Sequence, residues 1–138
     1  MNETRSLHLR RLHGRLGDVV YELTKVQFSR FHSPDAWRPA VNLYRCTECV
    51  VVCVDLAGVD RKGIALEVEP RRLLLRGQRQ PPEPESAERK PVQVLVMEID
   101  YGPFEREVLL PSDVAPERVT AEQRNGLLWV YLPFQSHA

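Results

Sequence analysis

Before residue 37, apolar side chains recur at spacings of three and four. Leu9, Leu12, Leu16, Val19, Leu23 and Val26 form the series, with Val20 beside it. That spacing predicts an amphipathic helix close to a heptad seam. Gly14 and Gly17 interrupt it, each weakening a helix by about 1 kcal/mol against Ala. Such a helix is expected to need a surface, either its own domain or a partner chain. Phe28, Phe31 and Ser33-Pro34 close the segment and lead into Trp37-Arg38-Pro39.

From Val41 onward the period changes to two. Cys49-Val-Val-Val-Cys-Val54 is β-rich and apolar on both faces, which predicts a central strand. Ile64, Leu66 and Val68 alternate with Ala65, Glu67 and Glu69, as in a half-buried strand. Leu73–Leu75 supplies another strand, and Gly77 stops it. Residues 80–91 hold four prolines and many charges, which predicts a long polyproline-like loop. Val92–Asp100 alternates again, and Phe104–Leu110 is a further strand. Near the end, Val119–Gln123 and Leu127–Leu132 flank Asn125-Gly126. That dipeptide predicts a type I′ hairpin joining an exposed or edge strand to a buried one. Short strands with turn signals about every ten residues indicate an all-β, immunoglobulin-like sandwich. The expected organisation is a helical arm over 1–36, a sandwich over 37–133 and a short tail over 134–138.

Length and charge narrow the function. A chain of 138 residues suffices for one domain with a core plus an arm. Lys+Arg and Asp+Glu both count 19, so bulk attraction to nucleic acid or anionic membrane is not expected. No apolar run reaches the roughly 18 residues of a membrane helix. The N-terminus lacks the pattern of a secretory signal. A cytoplasmic protein is the expectation.

Candidate chemistry is sparse. No His lies between His32 and His137, which removes the commonest general base from the β region. Glu67, Glu69, Glu105 and Glu107 fall at alternating strand positions and read as solvated faces rather than paired catalytic carboxylates. The glycines are spaced as turn residues, and no phosphate-binding loop is present. An enzyme is therefore not expected, nor is a cofactor or metal. Cys46, Cys49 and Cys53 form a C-x2-C-x3-C pattern. An odd count argues against a complete disulfide framework. Cys49 and Cys53 read as small apolar strand residues, with Cys46 and Cys49 as the alternative redox pair.

Four ordered motifs bring a resemblance. Ala121-x-x-x-Asn125-Gly126-x-Leu128, with Val130 and Leu132-Pro133, resembles the closing signature of the alpha-crystallin domain of small heat-shock proteins. Gly102-x-Phe104-x-Arg106-x-Val108-x-Leu110-Pro111 is similar to the family's other strong motif. Asp55-Leu56-x-Gly58-Val59 and Leu73-x-Leu75-x-Gly77-x-Arg79 fit the strands between. The resemblance spans roughly residues 37–133.

It implies a dimerising sandwich whose long loop, here 77–97, pairs with a partner's sheet, with Val92–Val96 supplying the strand. It implies holdase chaperoning without ATP, the partners being unfolding clients and a second copy. Client or partner contact is expected from the arm residues Leu9, Leu12, Leu16, Val19, Val20, Leu23, Val26, Phe28 and Phe31. A groove between the 64–68 and 104–110 strands is drawn from Ile64, Leu66, Val68, Val108 and Leu110. Three positions depart from the pattern. Phe134–Ala138 shows no Ile-x-Ile tail, so a dimer or small assembly is expected rather than a tail-linked cage. Glu98-Ile99 replaces Glu-Arg before the Tyr-Gly turn, and Ala57 replaces Pro. An alternative follows from the first departure: a non-catalytic scaffold subunit, with or without thiol regulation, whose groove takes the tail of another small heat-shock protein.

Overall fold

The computed structural model describes residues 5–12, 19–23, 36–84 and 93–136. The strands are β1 (Arg5–Leu12), β2 (Val19–Leu23), β3 (Val41–Arg45), β4 (Cys49–Asp55), β5 (Ile64–Glu69), β6 (Arg72–Arg79), β7 (Gly102–Leu109), β8 (Thr120–Arg124) and β9 (Leu127–Pro133). They form two antiparallel sheets, ordered β2-β1-β5-β6-β7 and β3-β4-β9-β8.

Alternation builds the core. Val50, Val52 and Val54 of β4 meet Leu128, Val130 and Leu132 of β9 in register. The other sheet contributes Ile64, Leu66 and Val68 from β5, Leu73 and Leu75 from β6, and Phe104 and Val108 from β7. All are buried. Val51 and Cys53, on the other face of β4, are buried too. The strand that reads apolar on both faces is thus an inner one, between β3 and β9.

The hairpin expected at Asn125-Gly126 forms as predicted. Asn125 and Gly126 have φ of 53° and 78°, the double left-handed conformation of a type I′ turn. It joins edge strand β8 to buried β9. Leu56 N–H then donates to the Gly126 carbonyl at 3.0 Å, tying the turn to the end of β4.

One expectation changes. The arm is not helical where it is described: Arg5–Leu12 and Val19–Leu23 are paired strands. β1 also runs antiparallel to β5, with Leu7 opposite Leu66. Helix propensity is a weak preference that tertiary context overrides. An open strand edge at β5 offers backbone partners that a helix could not use, and Val19-Val20-Tyr21 suits a strand. Residues 93–101, within the loop expected to pair with a partner's sheet, form no strand within the chain.

Candidate interaction surface

Between β6 and β7 the chain leaves the sandwich and returns. Its return is apolar and uncovered. Leu95 is 83% exposed and Val96 77%, and Val94, Met97, Ile99 and Tyr101 are each about half exposed or more. Exposed apolar residues scattered singly need no explanation, but a contiguous run marks a contact site. With Pro82, Glu83 and Pro84 the run lines an open cleft of about 650 Å³.

Both ends of this excursion are held at one point. Arg79, the last residue of β6, is only 9% exposed. It sits opposite Gly102, the first residue of β7. Its Nε donates to the Asp100 carbonyl at 2.7 Å, its Nη2 donates to the same oxygen, and its Nη1 reaches the Ala57 carbonyl at 3.2 Å. The guanidinium lies 4.1 Å from the centre of the Trp37 ring. Trp37 in turn donates from Nε1 to the Gly102 carbonyl at 3.2 Å and packs on Phe104 at 5.3 Å. Carbonyl dipoles and an aromatic face thus receive this buried cation. The result is a rigid base under an exposed apolar segment. Sequence reading places Arg79 in a motif but gives it no role, because its partners lie 21 and 22 residues away.

A second exposed feature lies on the other sheet. β3 is an edge strand paired only with β4 among the described strands. Leu43 and Tyr44 on it are nearly half exposed. An apolar edge of this kind offers free backbone groups to another strand.

The five residues drawn from sequence as a groove lie on β5 and on or just after β7, strands that are not neighbours in the sheet. β6 lies between β5 and β7 and pairs with both. Ile64, Leu66, Val68, Val108 and Leu110 are buried core residues. Their alternation marks an inward face, which the residues lining a groove would share, so sequence could not separate the two. Of the arm residues, Leu9 and Leu12 fall in β1, and Val19, Val20 and Leu23 in β2. Leu16, Val26, Phe28 and Phe31 lie outside the described residues.

The acidic residues of the outer face are matched by arginines. Arg72 Nε lies 2.7 Å from Glu69 and Arg76 Nη2 3.2 Å from Glu105, across β5, β6 and β7. These are cross-strand charge pairs of the ordinary sheet kind. Among the described residues, no group of three or more His, Cys, Asp and Glu side chains is placed to hold a metal ion. No described helix is long and apolar enough to cross a membrane.

Cys46 is exposed, Cys49 half-buried and Cys53 buried, all as free thiols. Burial pushes the Cys53 thiol up, opposed by Arg124 and reinforced by Asp55. Burial, first, and then the Cys46 thiol and Glu48 push Cys49 up.

Comparison with known proteins agrees with this architecture. The Hsp20/alpha crystallin family profile matches residues 45–138. Spore protein SP21 of Stigmatella aurantiaca is 31% identical over 106 residues, covering 77% of this chain and 60% of that protein. The 18 kDa heat shock protein of Streptomyces albus is 30% identical over 110 residues, covering 77% of this chain and 74% of its own. The crystal structure of hspA from Xanthomonas axonopodis superposes with a TM-score of 0.61 at 27% identity, over 74% of this chain and 98% of that one. Against three of the curated relatives, the chain spans 60%, 49% and 47% of their length.

Proposed function

This chain belongs to the Hsp20/alpha crystallin family, and on that premise we propose that it is an ATP-independent holdase. It binds partly unfolded proteins and keeps them from aggregating. The observation that supports this most is the exposed apolar run from Val94 to Tyr101, held on a buried clamp.

The physical chemistry is direct. A partly unfolded client exposes apolar side chains and unpaired backbone. Burying apolar surface releases about 25 cal/mol per Å². The run at 94–101 offers apolar side chains on a base that needs no refolding. No nucleotide enters this account, because capture is driven by burial and release by competition with refolding. The arm residues Leu9, Leu12, Leu16, Val19, Val20, Leu23, Val26, Phe28 and Phe31 are a second proposed contributor.

The same segment has a second occupant in this reading. The β3 edge of another copy offers free backbone and exposed Leu43 and Tyr44. The 94–99 stretch matches it in length and character, so copies pair at rest and clients compete for the released segment. The working site is proposed to be the cytoplasm.

The test is light scattering of a heat-labile client without nucleotide, at rising ratios of this protein. Suppression near stoichiometric ratios is expected, unchanged by added ATP. Unhindered aggregation at every ratio would remove the holdase reading.

A further inference from the structure

β3 ends at Arg45, and β4 begins at Cys49. The β3–β4 register pairs Val41 with Val54 and continues to Arg45 with Val50. One more step puts Cys46 opposite Cys49. The Cys46 N–H donates to the Cys49 carbonyl at 2.8 Å, so the ladder does extend to that pair. Directly opposed residues of an antiparallel ladder have Cα atoms about 4.5–5.5 Å apart. A disulfide needs about 4.4–6.8 Å. The Cys46 thiol is near enough to Cys49 to help push that thiol's pKa up, and Cys46 is open to solvent.

The third cysteine does not compete. Cys53 lies four residues along the same strand from Cys49, about 13 Å at the usual strand rise. It is buried and sits opposite Asn42 and Trp129. The geometry therefore singles out one pair.

We propose that Cys46 and Cys49 are a redox-active dithiol that closes to a disulfide across the tip of the β3–β4 hairpin. The co-reactant is a small soluble disulfide. The exposed Cys46 thiolate attacks one sulfur of it, forming a mixed disulfide and releasing one small thiol. The Cys49 thiolate then attacks Cys46 Sγ and expels the second small thiol. Two protein S–H groups and one small disulfide become one protein disulfide and two small thiols. Two electrons pass from protein to reagent.

The bond is suited to a reversible role. It joins residues three apart at an exposed tip, where later thiols can reach it, and exposed disulfides are the labile ones. Its position also matters. Cys46 follows directly on β3, so closure ties the end of the open edge to the inner strand β4.

The test uses the full reduced chain and oxidised glutathione as probe, with acid quenching, alkylation under denaturing conditions, intact mass and peptide mapping. The expected product has lost two of its three alkylatable thiols and carries one bond between Cys46 and Cys49. Its circular dichroism is unchanged. Cys53→Ser should close as the natural chain does. Cys49→Ser should stop at a glutathione adduct on Cys46. The proposal is overturned if the natural chain keeps three alkylatable thiols. It is equally overturned if it retains a lasting glutathione adduct, bonds through Cys53, or links two chains through Cys46.

Discussion

Arg79 and Gly77 show what single residues carry here. Arg79 is a buried cation bonded to carbonyl oxygens and stacked on Trp37. Hydrogen bonds to a charged group are worth about 1.5–3 kcal/mol. Arg79→Ala should cost about 2–3 kcal/mol in urea denaturation and speed proteolytic cleavage between residues 80 and 101. Arg79→Lys should recover little, because an ammonium lacks the planar fork. Equal stability of all three chains would show that the clamp does not hold the segment. Gly77 and Gly58 give an opposed pair. A Cβ on Gly77 would lie 2.0 Å from the Gly63 carbonyl oxygen and 2.3 Å from the Phe104 ring. Gly58 has φ of 76° and open space around it. Gly77→Ala should therefore cost about 3 kcal/mol or more through overpacking, and Gly58→Ala about 1–2 kcal/mol through backbone strain alone. Comparable losses in a denaturant titration would contradict this. Sequence reads both glycines as turn residues. Only the structure shows that Gly77 is a strand residue kept small by close packing, because a contact made through space leaves no periodic trace.

At the scale of elements, β4, β5, β8, β9 and the Asn125-Gly126 turn are legible in sequence, since burial on one face or two imposes its own period. The arm misleads because its spacing of three and four also accommodates two short strands. What decides between them is the edge of β5, which is distant in sequence. The segment 93–101 carries the opposite expectation, pairing with a partner's sheet. Its alternation is that of a strand, yet it finds no ladder in its own chain. That mismatch motivates a prediction about β3. If the segment pairs with the β3 edge of a second copy, Leu43→Lys with Tyr44→Lys should shift sedimentation from dimer to monomer without loss of β content. Charged side chains on an edge strand are the usual way such pairing is blocked. A dimer that persists in this variant would place the contact elsewhere.

For the whole molecule, the sandwich is a frame, and the proposed activity is assigned to what it leaves uncovered. The core takes inward faces from both sheets. The exposed apolar run lies outside that core, with a clamp near its C-terminal end. Family membership accounts for the frame, and the exposed run supports the proposed capture of clients. The central claim is tested most directly by light scattering of a heat-labile client with the natural chain and with a Leu95→Asp/Ile99→Asp variant side by side. Burying one large apolar side chain is worth about 1.5–3 kcal/mol, and 1.4 kcal/mol is tenfold in affinity. The account predicts that the variant keeps its circular dichroism and needs about tenfold more protein, or more, for the same suppression. A folded variant that suppresses as well as the natural chain would contradict it.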